Sequence, residues 1–331
     1  MTSRIVILDG ATLNPGDNPW TAIEDLGEVV LHAASEPDEI ADRLKDADIA
    51  VTNKVRLTAE IIGQLPALKL IAVTATGYDC VDVAAAAQRK IPVANVPTYG
   101  TPSVAQFTFA LLLELCHRIA LHDEAVRAGE WQRCGSFSFW KTPQIELHGL
   151  TLGVIGFGRI GQQVARIGSA FGMRILASSR HRENAPDDFE FEWSTVDEIA
   201  ERADVISLHC SLNENSTGII SREFLSRMKP SAFLINTSRG PLIDEASLAE
   251  ALNADQLAGA AVDVASVEPI TDDNPLLTAR NCVITPHMAW SSLAARRRMM
   301  QVTANNIRSF LSRSPINVVN QELMPSRTAQ D

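Results

Sequence analysis

The stretch LGVIGFGRIG, residues 152–161, determines how the rest of the chain is interpreted. An apolar run predicts a β-strand over residues 151–155, and Gly156, Gly158 and Gly161 follow it in G-x-G-x-x-G register. A helical pattern then begins, with apolar side chains spaced to form one face of the helix at Ile160, Val164, Ile167 and Phe171. The sequence therefore predicts a glycine-rich turn between a strand and an amphipathic helix.

In this context each glycine has a physical role in binding a dinucleotide. The first permits a tight turn, the second lets the backbone approach a pyrophosphate, and the third lets helix and strand pack closely. The first helical turn, at Arg159, Ile160 and Gly161, then presents N–H groups and the positive end of the helix dipole to the phosphates. A turn without a ligand is the alternative, and the strand-turn-helix context favours the dinucleotide site.

The end of the next predicted strand bears on which dinucleotide is bound. Ser179 stands where an NAD-preferring protein carries Asp or Glu, and Arg180, His181 and Arg182 follow it. Positive charge there favours a 2′-phosphate, so we expect NADP(H), with NAD(H) as the other candidate. The alternative is that the arginines merely coat a loop.

Short apolar runs alternate with helical patterns along the whole chain, which predicts an α/β protein with parallel sheets. Predicted strands in the first third cover residues 5–8, 49–52, 70–73 and 93–95. Predicted helices there cover residues 40–44, 58–65 and 83–89. In the middle of the chain, strands are predicted over residues 151–155, 174–177, 205–208, 232–236, 260–264 and 283–285. Ser221 and Asp244 are predicted to N-cap later helices.

The length of 331 residues predicts two domains, each a Rossmann-like or flavodoxin-like parallel sheet with helices. A nearly all-apolar helix over residues 103–116 is the expected crossover, and one long helix over residues 286–311 is expected to return to the first domain. We therefore predict a discontinuous substrate domain, residues 1–99 and 288–331, and a dinucleotide-binding domain, residues 100–287. The arginine run at 296–298 is interpreted as a solvated helix face.

Composition narrows the class of protein. The formal net charge is -11, which disfavours nucleic acid and anionic membranes as partners. The first ten residues have no signal-peptide pattern, and no long apolar run predicts a membrane span. Five scattered cysteines fit reduced thiols and lack metal spacing. We expect a cytoplasmic protein that binds no metal and no nucleic acid.

Three ionisable residues follow predicted strands of the middle domain, at the edge where open α/β sheets bind ligands. They are Arg239 in INTSRGPLID, Glu268 in AVDVASVEP and His287 in VITPHMAW. A histidine can donate a proton to a carbonyl oxygen that gains negative charge from a hydride. A carboxylate such as Glu268 would hold the imidazole and favour its cationic form. The Arg239 guanidinium would bridge a substrate carboxylate and the keto oxygen.

Taken together, these motifs are similar to those of the D-isomer-specific 2-hydroxyacid dehydrogenase family, and the sequence resembles that family over nearly its whole length. The resemblance is carried by GFGRIG, HCSLNENSTGII, NTSRGPLID, DVASVEP and TPHMAW. Within the family, LDGATLNPGDNPW and VTNKVRLT are most similar to glycerate dehydrogenases, also called hydroxypyruvate reductases. The resemblance implies NAD(P)H-dependent reduction of a small 2-keto acid, such as hydroxypyruvate or glyoxylate, to a D-2-hydroxy acid such as D-glycerate. The SSRHR stretch departs from relatives with an acidic residue and is similar to NADP-using members.

The resemblance also implies further site residues. Backbone N–H groups at Ala75, Thr76 and Gly77 would bind the substrate carboxylate, and Arg239 and His287 would contact the substrate. Asp263 would contact the nicotinamide carboxamide, or alternatively cap local backbone. Other cofactor contacts are implied at Val104, Thr108, Cys210, Thr217, Thr237 and Ser238.

By the same resemblance, Trp140 lies in a segment that crosses to the partner subunit of a homodimer, where it would close the substrate site. An ordinary interface aromatic is equally compatible. Two other functions stay open: another family activity, of the phosphoglycerate, lactate, phosphite or formate type, or a nucleotide-sensing scaffold like the corepressors of this fold. A Pro286 before the histidine disfavours a formate dehydrogenase.

Overall fold

The structure is a computed structural model that describes residues 2–183 and 185–323. The chain divides into two compact units: unit 1 comprises Met1–Gly100 and Ser291–Asp331, and unit 2 comprises Thr101–Trp290. Both units are built on parallel sheets flanked by helices. The predicted α/β class is therefore confirmed.

Unit 1 contains a five-stranded parallel sheet. Its strands are β1 (Arg4–Ile7), β2 (Glu28–Leu31), β3 (Ile49–Thr52), β4 (Leu70–Val73) and β5 (Val93–Ala94). They are ordered β2-β1-β3-β4-β5, the flavodoxin-like order. The helices that precede and connect them are α1 (Thr21–Glu24), α2 (Ile40–Leu44), α3 (Ala59–Gly63) and α4 (Val83–Gln88). The central strands β3 and β4 are buried at every position, because helices cover both faces of the sheet.

Unit 2 contains a seven-stranded parallel sheet. Its strands are β6 (Thr151–Ile155), β7 (Arg174–Ser178), β8 (Glu192–Trp193), β9 (Val205–Leu208), β10 (Phe233–Asn236), β11 (Gly259–Val262) and β12 (Cys282–Ile284). The order is β12-β11-β10-β9-β6-β7-β8, so the direction of the winding reverses between β6 and β9. In doubly wound sheets, ligands bind outside the carboxyl ends of the strands at this reversal.

The helices of unit 2 cover this sheet. They are α5 (Thr101–His117), α6 (Ile119–Arg127), α7 (Glu130–Arg133), α8 (Arg159–Ala170), α9 (Val196–Arg202), α10 (Arg222–Arg227) and α11 (Glu245–Asn253). Short 3-10 helices occur at Gly10–Thr12, Gly240–Leu242, Pro275–Thr278 and Gln321–Leu323. The side chains of Ser221 and Asp244 cap α10 and α11 as predicted. Helix α5 is buried along most of its length and packs against α8, β10 and β11.

The predicted apolar face of α8 is correct at its centre and wrong at its end. Val164 is fully buried, but Phe171 lies one residue beyond the helix and is 42% exposed. Its ring stacks on Phe109 of α5, with the centroids 5.3 Å apart. This face therefore packs on α5 as well as on the sheet.

The predicted long helix over residues 286–311 is wrong at its beginning. The last helix, α12 (Leu293–Leu311), starts only after Ser292, whose hydroxyl accepts a hydrogen bond from Ala295 N. Residues 286–291 form a loop because His287 has a left-handed φ of 51° and the loop N–H groups bind a side chain. Helix α12 belongs to unit 1, where Met300 and Ile307 pack on the sheet.

The arginine run on α12 is not a uniformly solvated face. Arg296 is 9% exposed, and its guanidinium forms a two-pronged ion pair with Asp17, at 2.5 and 2.7 Å. This pair lowers the pKa of Asp17. Arg298 donates to the carbonyl of Tyr99, and only Arg297 and Arg298 are exposed. The run fixes α12 to the loops of its own unit.

Among residues 2–183 and 185–323, none of the individual helices combines the length and the apolar composition that a membrane span requires. Helices α5 and α6 satisfy that criterion only as a pair, bent by 54°.

Candidate active site

The glycine turn after β6 has the shape that a pyrophosphate requires. Gly156 has φ 99°, and a Cβ built on it would lie 2.3 Å from Cys210 N. A Cβ on Gly161 would lie 2.1 Å from the carbonyl oxygen of Gly156, whereas one on Gly158 would meet nothing within 4 Å. The first and third glycines therefore allow tight protein packing, and the second leaves open space above the backbone.

Helix α8 begins inside this turn without a side-chain cap. Gly158 is its N-cap residue and has no side chain to satisfy the N–H groups of the first turn. Arg159 is exposed and Ile160 is half-buried, so the helix N-terminus is accessible. Uncapped N–H groups beside open space fit a phosphate. The turn therefore fits the diphosphate of a nicotinamide dinucleotide.

Several other predicted cofactor residues come together near this turn. The Ser238 hydroxyl donates to the carbonyl of Cys210, whose backbone lies against Gly156. Thr108 and Thr237 share a hydrogen bond of 3.2 Å between their hydroxyls, and Thr108 also donates to the Val104 carbonyl. Thr217 does not take part in these hydrogen bonds. It is exposed, and its hydroxyl donates to the carbonyl of Asn213.

The loop after β7 is ordered by its own side chains. The Ser179 hydroxyl donates to the carbonyl of His181 at 2.8 Å and accepts from His181 N at 3.2 Å. Arg182 stacks over the Trp193 ring, with its guanidinium carbon 4.9 Å from the centroid. Burial raises the pKa of Cys210, and a backbone hydrogen bond to its thiol and the charge of Arg180 oppose the rise. Arg180 is exposed to solvent, whereas the guanidinium of Arg182 is engaged with the Trp193 ring.

His287 and Glu268 form a direct pair. The His287 Nδ1 atom lies 2.7 Å from Glu268 Oε2, and the side chains are 26% and 37% exposed. The other carboxylate oxygen of Glu268 accepts from Ala265 N at 3.1 Å. A carboxylate on Nδ1 fixes the proton on that nitrogen and leaves Nε2 to act on a substrate. The pair has the geometry of a general acid with its orienting carboxylate.

A buried carboxylate holds the loop that carries His287. Asp263, 1% exposed, accepts from the Thr285 hydroxyl and from the N–H groups of Met288 and Ala289, at 2.6–2.9 Å. Burial raises the pKa of Asp263, and these hydrogen bonds oppose the rise. Asp263 thus caps local backbone, the alternative open from the sequence, and its contact with a carboxamide stays a prediction.

Arg239 lies at the same edge of the sheet, after β10. Its guanidinium donates to the Ser238 carbonyl at 2.7 Å, and its own carbonyl accepts from the Asn236 side chain at 2.8 Å. The residue is half-buried. The hydrogen bonds described for Arg239 join it to its own loop, whereas Glu268 and His287 bind each other.

The remaining predicted substrate residues are those of the 75–77 loop and Trp140. In unit 1, the 75–77 loop is anchored by its oxygen atoms: Val96 N donates to the Ala75 carbonyl, and Asn95 donates to the Thr76 carbonyl. Among the described hydrogen bonds, none uses the N–H groups of Thr76 or Gly77. In unit 2, Trp140 is 68% exposed.

Another histidine follows β9 in unit 2. His209 has its Nε2 2.8 Å from the Ser207 hydroxyl, and burial lowers the pKa of His209 to about 3. It is therefore neutral at ordinary pH and unsuited to donate a proton. Among residues 2–183 and 185–323, no group of three or more His, Cys, Asp or Glu residues is arranged to hold a metal ion.

The geometry described above agrees with comparisons to known proteins. Residues 109–289 match the family model of the D-isomer specific 2-hydroxyacid dehydrogenase, NAD binding domain. The chain is 44% identical to a hydroxypyruvate reductase of Blautia hydrogenotrophica, over 96% of this chain and 100% of that protein. It is 37% identical to a glycerate dehydrogenase of Methylorubrum extorquens, over 96% and 99% of the two chains.

A solved structure extends the comparison to the fold. The NADPH-dependent glyoxylate/hydroxypyruvate reductase of Sinorhizobium meliloti, in complex with NADP and malonate, matches with a TM-score of 0.82 and 27% identity. The match covers 99% of this chain and 100% of that one. The chain belongs to the D-isomer-specific 2-hydroxyacid dehydrogenase family. It is an oxidoreductase that uses a nicotinamide cofactor to interconvert a 2-keto acid and a D-2-hydroxy acid.

The sequence did not reveal every residue that shapes the site. Glu245, the first residue of α11, accepts hydrogen bonds from Ser266 N and Asn274 Nδ2, on either side of Glu268 in the chain. A carboxylate at the start of a helix is ordinarily explained by the helix dipole, so the sequence carries no signal of this contact.

The glycine turn yields a matched pair of variants. Gly158→Ala adds a methyl group in open space, so we expect unchanged urea unfolding and a dissociation constant for NADPH and NADH at least about tenfold higher. Gly161→Ala places the same methyl group against the Gly156 carbonyl and should lower the free energy of unfolding by about 1–3 kcal/mol. Cofactor fluorescence titration and urea denaturation measure the two effects. Unchanged cofactor affinity in Gly158→Ala would contradict a pyrophosphate above Gly158.

Proposed function

We propose that this chain reduces hydroxypyruvate, and with it glyoxylate, using His287 as the proton donor. The observation that carries the proposal is the 2.7 Å contact between His287 Nδ1 and Glu268 Oε2 at the carboxyl edge of the sheet that holds the glycine turn. The relatives named hydroxypyruvate reductase and glycerate dehydrogenase, which match along nearly the whole chain, support the choice of substrate.

The bound cofactor supplies a hydride to the carbonyl carbon of the keto acid. His287, protonated on both nitrogens, gives its Nε2 proton to the carbonyl oxygen, and the two additions together yield the hydroxyl group. Glu268 keeps the Nδ1 proton in place and stabilises the cationic imidazole before transfer. Arg239 orients the substrate through a two-pronged contact with its carboxylate and keto oxygen.

The substrate carboxylate also requires N–H donors, and we assign the 75–77 loop to this role. The N–H groups of Thr76 and Gly77, which no described hydrogen bond uses, are suited to an anion, and the carbonyls of Ala75 and Thr76 already accept hydrogen bonds. Asp263 is assigned to the nicotinamide carboxamide as well as to the loop that it caps. By this division, unit 1 is the substrate domain and unit 2 the dinucleotide-binding domain.

A panel assay tests the substrate assignment. Hydroxypyruvate, glyoxylate, pyruvate and phenylpyruvate are offered with NADPH and with NADH, and we expect hydroxypyruvate to give the highest kcat/KM. A higher value with pyruvate or phenylpyruvate would contradict the assignment within the family. Cofactor binding without turnover of any keto acid would instead indicate the nucleotide-sensing scaffold.

Two variants test the acid pair. His287→Ala should lower kcat by about 10²- to 10⁴-fold with cofactor affinity unchanged, because general acid catalysis is lost. Glu268→Gln keeps a hydrogen-bonding group but removes the negative charge that stabilises the imidazolium. Reduction requires the protonated form, so activity should be lost at a lower pH than in the unmodified enzyme. The measurement is kcat/KM against pH, and an unmoved profile would make Glu268 a purely structural residue.

We infer a preference for NADP(H) from the loop after β7. Ser179 is neutral, Arg180 is exposed, and the guanidinium of Arg182 is stacked on Trp193. Because the Arg182 guanidinium is engaged with Trp193, we assign Arg180 to the 2′-phosphate. The relative from Sinorhizobium meliloti, described as NADPH-dependent and solved with NADP, supports this inference, and NAD(H) is the alternative.

The preference is tested by kcat/KM with each cofactor. A charge-assisted hydrogen bond contributes about 1.5–3 kcal/mol, so the unmodified enzyme should favour NADPH by about tenfold or more. Ser179→Asp combined with Arg180→Gln should reverse this preference, because the new carboxylate repels the phosphate and accepts from the ribose. Arg182→Gln, which removes the same charge two residues away, is the matched control and should keep the preference. An unmodified enzyme that favours NADH would refute the inference.

We also propose that the protein forms a homodimer through residues 119–140. Large apolar side chains are exposed there in one protomer: Ile119 is 63% exposed, Trp131 48%, Phe137 94% and Trp140 68%. Large apolar side chains exposed together in one segment are typical of interaction surfaces. The dimer also gives Trp140 a position at its partner's substrate site. Sedimentation velocity should show a dimer, and a monomer at micromolar concentration would contradict this assignment.

A further inference from the structure

Glu245 binds both ends of the loop that carries Glu268. Its Oε1 atom accepts from Ser266 N at 2.8 Å, and its Oε2 atom accepts from Asn274 Nδ2 at 2.9 Å. Glu268 lies between those two residues in the chain. The carboxylate therefore closes the loop across its base, using one oxygen at each end.

The orientation of the Asn274 side chain makes a carboxylate necessary. Asn274 is 9% exposed, and its Oδ1 accepts from Leu276 N at 3.0 Å, which leaves its Nδ2 directed at Glu245. Both groups that face Glu245 are thus donors, a backbone N–H and an amide NH2. A carboxylate accepts at both oxygens, whereas an amide presents one acceptor and one donor.

The same loop also packs against Gly240, in the segment that precedes Glu245. A Cβ built on Gly240 would lie 1.9 Å from the carbonyl carbon of Ala265 and 2.3 Å from Ser266 N. The backbone at residues 265–266 therefore rests on Gly240, next to Arg239. Ala265 N in turn donates to Glu268 Oε1. One chain of contacts leads from Glu245 through Ser266 and Ala265 to Glu268, and from Glu268 to His287.

We propose that Glu245 is a positioning residue of the acid pair. It holds the 265–274 loop so that Glu268 stays within hydrogen-bonding distance of His287, and it acts on the reaction only through Glu268. The inference rests on the proposed role of the pair. The competing explanation is that Glu245 merely stabilises the N-terminus of α11, where Asp244 already serves as the cap.

A double-mutant cycle on kcat separates these explanations. Glu245→Ala and Glu245→Gln are measured alone and combined with Glu268→Gln, using the 2-keto acid that the unmodified enzyme reduces fastest. Glu245→Ala alone should lower kcat by about tenfold or more, and Glu245→Gln should lower it less, with the KM of the cofactor unchanged in both. In the Glu268→Gln background neither substitution should lower kcat further, because the residue through which Glu245 acts is already lost.

Glu250→Ala is the matched control. Glu250 lies on the same helix, and its exposed carboxylate pairs with Arg222 at 2.5 Å on the surface. This substitution should leave kcat unchanged. Hydrogen exchange measured by mass spectrometry adds a readout that needs no turnover: Glu245→Ala and Glu245→Gln should speed amide exchange in residues 265–274, and Glu250→Ala should not.

The outcomes that overturn the proposal are distinct from a failure of the proposed function. Equal losses of kcat with and without Glu268→Gln, or full activity in Glu245→Ala, would show that Glu245 does not act through the pair. Unchanged exchange in the 265–274 loop would show that Glu245 does not hold it. Absence of turnover in the unmodified enzyme would instead contradict the proposed function. The exchange measurement would still decide whether Glu245 holds the loop.

Discussion

The buried carboxylate of Asp263 is the interaction on which the candidate active site depends. It stands just after β11 and accepts three hydrogen bonds from the Thr285 hydroxyl and the N–H groups of Met288 and Ala289, all after β12. Removing a carboxylate from water is costly unless such donors surround it. Because these donors all bind one carboxylate, the segment after β12 forms a loop and not a helix. His287 lies in this loop in a left-handed conformation, with φ 51°. The position of the imidazole is thus fixed by a side chain 24 residues earlier in the sequence.

Parallel strand order explains why residues far apart in sequence form one site. The glycine turn, Arg239, Glu268 and His287 follow β6, β10, β11 and β12, and the carboxyl ends of parallel strands share one edge of the sheet. Neighbouring loops then approach closely only where a side chain is missing. Gly156 lets the chain at Cys210 lie against the turn, and Gly240 does the same for Ala265. The glycines therefore set the spacing of the loops that carry the ionisable residues.

The sequence predicted the features that leave a local pattern, and it missed those that depend on residues distant in the chain. The continuous apolar runs of buried strands predicted β1, β3 and β4 within a residue or two, because burial on both faces leaves a strong pattern. The strands β2 and β8 were missed, since both lie at sheet edges and are half-exposed. The predicted start of α12 was wrong because the distant Asp263 holds the preceding residues in a loop. The predicted solvation of Arg296 was wrong because the distant Asp17 pairs with its guanidinium. Periodicity carries no information on such partners.

The two histidines that follow strands of unit 2 have different environments. His209 and His287 both stand just past the carboxyl end of a strand. His209 faces a neutral hydroxyl, and burial lowers the pKa of its imidazole to about 3, so the ring is uncharged at ordinary pH. His287 keeps contact with solvent, and its Nδ1 faces the Glu268 carboxylate at 2.7 Å. Because the residue type is the same at both positions, the carboxylate of Glu268 is what distinguishes His287 as the proposed proton donor. In that proposal, the contacts that hold Glu268 in place contribute to the reaction.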